Sequence, residues 1–237
     1  MSEWVDDTRA LLATALNILG EKIDTLAPEG QLVAQTLLDQ REALLSAVET
    51  MVPAEVGALR TRIHGDFHLG QILVAQGDVF LIDFEGEPAR TLEQRRRKTS
   101  PLRDVAGLLR SLSYANAAAA PVSEDAPQST ADRKRALFER LRGAAREAFL
   151  AAYREAASNA AQPLVDPQHE AALLDLFLIE KAAYEICYEA ANRPTWLGLP
   201  VRGLASIAAR VLGLAHTTPA PRTEHPSWQE SMEGHDE

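Results

Sequence analysis

The chain holds a single cysteine, Cys187, among its 237 residues, so no internal disulfide can form. That usage fits a reducing cytoplasm. Cys187 falls inside a helical apolar pattern and reads as a buried, inert thiol. Basic residues are in deficit. Twenty-four Lys and Arg face 34 Asp and Glu, for a net charge of −10. This argues against a general binder of nucleic acid or of membrane surfaces, since both need basic patches. No apolar run is long enough to span a bilayer. The start, "MSEWVDDTRA", is acidic and lacks the basic-then-apolar order of a signal peptide. No internal repeat is present. The expected location is the cytoplasm.

What the chain does contain is helical periodicity. Val5, Leu12, Leu16, Leu19, Ile23 and Leu26 recur at three- and four-residue spacings and predict a helix over 4–27, ended by Pro28 and Gly30. A second helix is predicted over 31–52, with Leu37, Leu44, Val48 and Met51 on one face and Pro53 as its stop. Helical spacing returns at Leu102, Val105, Leu108, Leu109 and Leu112, and again over 131–159, 168–192 and about 200–214. The segment 85–101 has little apolar periodicity and reads as a long loop. Residues 121–130 read as a polar linker, and the acidic, proline-containing tail of 215–237 as disordered.

Only residues 60–83 look like β-structure. "QILVA" and "VFLIDF" flank "QGD", a hairpin-type turn signal. If 71–75 pairs with 79–83, Gln71 and Asp83 come close together. Asp66 then lies just before the first strand and Glu85 just after the second. One amide oxygen and one or two carboxylates at one place suit magnesium, which keeps waters and takes phosphate oxygens for its remaining positions. Asp66, five residues before Gln71, is the natural base beside such an ion. The fold class read from these patterns is mainly α with a small β-hairpin.

Here the pattern resembles a known family. "HGDFHLGQ" resembles the catalytic loop of protein-kinase-like folds in their aminoglycoside-phosphotransferase-like branch, where the loop begins His-Gly-Asp. "LIDFEGE" resembles the strand-end motif that binds the nucleotide's metal. With "RTLEQRRRKTSPLRDVAGLLRSLSYA" and "EKAAYEICYEAANRPTWLGLPVRGL", the blocks look like maltokinases, which use ATP to phosphorylate maltose at its anomeric hydroxyl. Similar domains are fused to trehalose synthase, which places the family in trehalose and glycogen metabolism.

The resemblance implies roles residue by residue. Asp66 orients and deprotonates the attacking sugar hydroxyl, and His68 contacts the transferring phosphoryl group or the sugar. Gln71, standing where the family has Asn, and Asp83 hold the metal of Mg–ATP, with Glu85 as a further ligand. His64 and Asp104 are structural supports of the loop, Asp104 by accepting its backbone N–H groups. On the sugar side, Tyr184, Glu185, Tyr188, Arg193 and Trp196 offer ring faces and hydrogen-bonding groups to maltose or a related small sugar, with Lys181 and Glu189 sharing Glu185's stripe. The basic run Arg95–Lys98 reads as solvated surface, with the alternative that one of its arginines reaches an acidic partner or the edge of the substrate.

The same resemblance defines what residues 1–214 are expected to be: the C-terminal lobe of such a kinase, its catalytic loop and metal motif lying in 62–88. The ATP-binding lobe is expected to be largely absent. Upstream of Asp66 the only lysine is Lys22, inside a helical pattern, and Gly20, Gly30 and Gly57 are scattered. The chain alone is therefore expected to bind ATP poorly, with the other lobe, or a trehalose synthase domain, as partner. The alternatives are a sugar-binding module, a degenerate lobe without turnover, or a kinase for another small hydroxyl-bearing acceptor. A metal-dependent phosphoesterase, suggested by "GDFH", would need further His- and Asp-rich motifs, whereas the other histidines are isolated. A zinc site on His64 and His68 lacks a third ligand at suitable spacing.

Overall fold

The computed structural model describes residues 3–53, 56–88, 90–119 and 128–214. The predicted tail of 215–237 and most of the predicted linker of 121–130 lie outside the described residues. Eight α-helices and one two-stranded antiparallel sheet occur among the described residues. In chain order these are α1 (Glu3–Lys22), α2 (Pro28–Asp39), α3 (Arg41–Met51), β1 (Ile72–Ala75), β2 (Asp78–Leu81), α4 (Leu92–Arg96), α5 (Leu102–Ala119), α6 (Gln128–Ser158), α7 (Glu170–Asn192) and α8 (Gly198–Val211). None of the described helices is long and apolar enough to cross a membrane.

α7 is the centre of the body. It packs on α1, α5, α8 and the edge of α3. Leu173, Leu176, Phe177, Ile179, Ala182, Ala183 and Ile186 are buried around most of its circumference, the pattern of a helix enclosed by others. α1 gives the opposing face through Leu12, Leu16 and Leu19, and Trp4 meets the Phe177 ring edge-on at 5.5 Å. Glu3 and Asp6 in the first turn of α1 and Lys22 in its last complement the helix dipole.

Three local readings change. Pro28 does not merely stop the first helix: it is the first residue of α2, where its missing N–H costs nothing. The helix predicted over 31–52 is broken at Gln40 (φ −93°, ψ 6°). Its halves serve different partners, α2 lying on α8 and α3 on α1, so one straight axis would not bury both apolar stripes. Within the predicted loop of 85–101, α4 forms behind a capping box: the Thr91 hydroxyl accepts from the Gln94 N–H (3.3 Å) and the Gln94 side chain accepts from the Thr91 N–H (2.9 Å).

The hairpin pairs Ile72 with Leu81 and Ala75 with Asp78. Gln76 and Gly77 both have positive φ (56° and 82°), as a two-residue hairpin turn of this hand requires. It lies apart from the helical core, and Leu73, Val74, Val79, Phe80 and Leu81 are all exposed.

Candidate active site

The loop of 62–71 is held from below by α5. Both oxygens of Asp104 accept backbone hydrogen bonds, from His64 N–H at 2.7 Å and Gly65 N–H at 2.9 Å. Burial pushes the Asp104 carboxyl above its ordinary 3.8, outweighing these two bonds, which pull it down. Farther along, Ser111 accepts from Leu69 N–H (3.1 Å). A Cβ on Gly107 would stand 2.6 Å from the Phe67 carbonyl oxygen, so α5 approaches the loop as closely as a glycine allows.

His64 ties the loop to the end of β2. Its Nε2 lies 2.8 Å from the Ile82 carbonyl and its Nδ1 accepts a long bond from Asp66 N–H (3.4 Å), which together set the tautomer with the proton on Nε2. The ring lies between Phe67 and Phe84, at 5.5 and 4.9 Å. Gly65, at φ 85°, lies back to back with Gly86, whose Cα a Cβ on Gly65 would meet at 3.2 Å. The two motif loops therefore cross in contact.

Gln71 and Asp83 come together, although the register is shifted by one residue from the expected pairing of 71–75 with 79–83: Ile72 faces Leu81, and Ile82 N–H donates to the Gln71 carbonyl at 3.1 Å. The Gln71 amide nitrogen donates to Asp83 Oδ2 at 3.1 Å and lies 3.5 Å from His68 Nε2. A cation between the pair requires the amide to turn over and present its oxygen, a rotation the group permits. Asp83 is left-handed (φ 63°), a conformation Asp tolerates better than most residues. Glu85 does not join them. It is exposed, and its backbone carbonyl, not its carboxylate, is engaged, by Arg95 at 3.4 Å. No group of three His, Cys, Asp or Glu with metal-holding geometry exists among the described residues. The hairpin thus offers one carboxylate and one amide, which fits a magnesium ion that takes its other oxygens from water and phosphate.

Asp66 faces α7. Lys181 Nζ lies 3.8 Å from Asp66 Oδ1 and 3.8 Å from Glu87 Oε2, bridging the two carboxylates. His68 Nε2 is 3.9 Å from the other Asp66 oxygen, and its Nδ1 accepts from Gly70 N–H at 3.0 Å. Glu87 also hydrogen-bonds Tyr184, whose phenol is raised by burial first and by Glu87 second, so it stays a donor. Sequence reasoning missed Lys181 and Glu87 as site residues. Glu87 is the second acid of "EGE", and the one that turns inward.

A cleft of about 600 Å³ opens beside Asp66 and His68, between α5 and the C-terminal half of α7. It brings together Tyr184, Glu185, Tyr188, Arg193 and Trp196, the five residues expected on the sugar side. Their states differ. Glu185 is buried against Arg110, which donates from Nε at 2.9 Å and Nη2 at 2.5 Å, both to Oε2, so that oxygen is committed to the pair. Tyr188 and Trp196 are exposed, and the Arg193 guanidinium lies 5.4 and 5.5 Å from their ring centres. Tyr114, which the sequence reading did not single out, stacks on Trp196 at 6.5 Å.

On the far side of the Asp66–Lys181 wall is a smaller cavity of about 120 Å³, bordered by Arg95, Arg97 and Lys98. The basic run is not simply solvated there, since Arg97 pairs with Glu3 of α1.

The fold is shared with part of solved glucosamine kinases. A glucosamine kinase in complex with glucosamine, ADP and inorganic phosphate superposes with a TM-score of 0.60 at 22% identity, over 88% of this chain and 49% of that one. A second crystal form of glucosamine kinase gives 0.60, over 88% and 48%. The chain therefore has the fold of about half of those structures. In sequence it is 30% identical over 187 residues to a glucosamine kinase of Mycolicibacterium smegmatis, covering 79% of this chain and 44% of that protein. It is also 30% identical over 145 residues to one of Streptacidiphilus jiangxiensis, covering 61% and 31%. The chain thus spans less than half the length of these relatives. No family model matches it. The relatives support a sugar-kinase fold and not maltokinase in particular, nor a place in trehalose or glycogen metabolism.

Proposed function

We propose that this chain is the acceptor- and metal-binding half of an ATP-dependent sugar kinase whose acceptor is a small sugar of the glucosamine type. The observation that carries this reading is the convergence on one loop. Asp66 borders the large cleft, Lys181 neutralises it beside Glu87, and the Gln71–Asp83 pair stands at the other end of the same loop. Phosphoryl transfer needs little covalent chemistry from the protein. It needs a positioned hydroxyl, a base and cations to spread the charge. Asp66 is placed to receive the proton of a sugar hydroxyl in the cleft. Gln71 and Asp83 are the residues that would hold magnesium, which would neutralise the transferring phosphate. Asp66, Glu87, Glu185 and Glu189 line the cleft against Lys181, Arg193 and the Arg110 that pairs with Glu185, and the one negative charge left over favours a cationic acceptor such as an amino sugar over maltose.

The exposed apolar hairpin belongs to the same reading. Leu73 and Phe80, which face each other across the hairpin and are both exposed, are apolar surface on which a nucleotide-covering lobe would pack, burying what this half leaves open. The test is a titration of the purified chain with glucosamine, glucose and maltose, followed by ADP release with Mg–ATP when the N-terminal half of a glucosamine kinase is co-expressed. Binding of glucosamine and ADP release only with the added half are expected. Absence of sugar binding, together with absence of sugar-dependent ADP release, would overturn the reading.

A further inference from the structure

Glu189 sits in the last turns of α7, is 2% exposed, and forms part of the cleft wall. Its two oxygens have different surroundings. Oε1 accepts from Arg193 Nη2 at 2.7 Å and from the Tyr114 hydroxyl at 3.3 Å. Oε2 is fully buried and has no hydrogen-bond partner. A carboxylate oxygen removed from water with its lone pairs unmet is costly. It is tolerated where a ligand completes it.

We infer that Glu189 Oε2 is the atom that accepts a hydrogen bond from a donor group of the acceptor sugar, and so fixes how the sugar sits relative to Asp66. This deepens the sugar-kinase reading and rests on it. Glu185, the carboxylate that the resemblance put on the sugar side, has its Oε2 taken by both Arg110 bonds. The surroundings of Glu189 suit a pyranose. Tyr114 and Trp196 stack with their planes 9° apart, and Tyr188 lies across the Arg193 guanidinium from Trp196, giving ring faces for the C–H side of a sugar. Tyr114 is held in its protonated form by burial and by the Glu185 and Glu189 charges, so its hydroxyl remains a donor and leaves Oε2 for the ligand. Arg193 is half exposed, so water as well as Glu189 screens its charge.

The shared ligand chemistry is an N–H or O–H donor, which on an amino sugar is either the ammonium or a ring hydroxyl. The experiment compares the chain with its Glu189→Gln variant by calorimetric titration with glucosamine, glucose and 2-deoxyglucose, alongside thermal melting without sugar. Glutamine keeps an oxygen for Arg193 and Tyr114 but turns Oε2 into a donor. The expected result is at least a tenfold loss of glucosamine affinity in E189Q with no fall in melting temperature. A loss for glucosamine and glucose but not for 2-deoxyglucose places the contact at the 2-position. A loss for glucosamine alone assigns the ammonium, and an equal loss for all three assigns another hydroxyl. Unchanged affinities overturn the inference. So does a marked fall in melting temperature, because Glu189 is then a structural anchor of the helix end. If the unmodified chain binds no sugar, the sugar-kinase reading itself fails, and this inference with it.

Discussion

Replacing Asp104 with Asn tests the device that holds the loop of 62–71. Asp104 takes His64 N–H and Gly65 N–H on separate oxygens, at 2.7 and 2.9 Å. An asparagine can accept one of them, but its amide NH2 then faces the other N–H. One charge-assisted bond worth ~1.5–3 kcal/mol is lost and one buried donor is left unmet at ~1–3 kcal/mol. The cost of desolvating the carboxylate, visible in its raised pKa, is recovered in the neutral side chain and offsets part of this. The net expectation is a loss of about 2–3 kcal/mol, read by urea denaturation at pH 7. The pH dependence has a definite sign. The folded carboxyl titrates above its ordinary 3.8, so the folded state holds this proton more tightly than the unfolded chain. Its contribution is complete below pH 3.8 and is lost as the pH rises through the raised folded value. The amide of the D104N variant does not titrate, so the advantage of the unmodified chain over D104N should grow as the pH is lowered through that window. A cost under about 0.5 kcal/mol would refute the role given to Asp104, and a gap that shrinks in acid would refute the dominance of burial over its two hydrogen bonds.

Asp66→Asn in the completed kinase should cut sugar-dependent turnover by about 10²–10⁴-fold, the usual yield of a positioned base, with sugar affinity little changed; a matching loss of affinity would show that Asp66 only binds. Arg110→Met leaves the buried Glu185 carboxylate unpaired and should cost about 3–5 kcal/mol by denaturation, while R110M/E185L should recover most of it. If the double variant is as unstable as the single one, the pair is doing more than cancelling its own charges. Gly107→Ala would put a Cβ 2.6 Å from the Phe67 carbonyl. Separating α5 from the loop should cost about 1–3 kcal/mol and lower sugar affinity, whereas a variant as stable and as tightly binding as the original would mean that the approach is looser than drawn.

How much of this was legible in the sequence depended on the range of the interaction. The hairpin was readable because its turn signal and strands are local, but its register was not: the expected pairing set Gln71 opposite Asp83, whereas the two-residue turn at Gln76–Gly77 shifts the ladder by one and leaves the side chains to bring Gln71 to Asp83. Asp104 was readable only through resemblance, since nothing within its own helix shows what its carboxylate accepts. The break at Gln40 was not readable, because each half of the predicted helix has a good apolar stripe and only the third-party surfaces of α8 and α1 decide between one helix and two. α4 was missed although its signal, Thr91 with Gln94 three residues on, is a local one that a search for apolar periodicity passes over.

The carboxylates of α7 show the same division more sharply. Glu185 and Glu189 share one stripe of the helix and Glu180 lies on the neighbouring row, and each has one oxygen taken by a residue elsewhere. Arg103 and Arg90 take Glu180, Arg110 takes Glu185, and Arg193 with Tyr114 takes one oxygen of Glu189. Arg103, Arg110 and Tyr114 lie on α5, so the pairing along α7 is set chiefly by the packing of these two helices. That packing is also what brings the floor of the loop of 62–71, at Asp104 and Gly107, beside the wall of the cleft. A slip of α5 along α7 would therefore move Asp66 relative to the cleft while unpairing two buried carboxylates. The ion pairs thus fix the register of the site, and their value lies in that positioning more than in net stability.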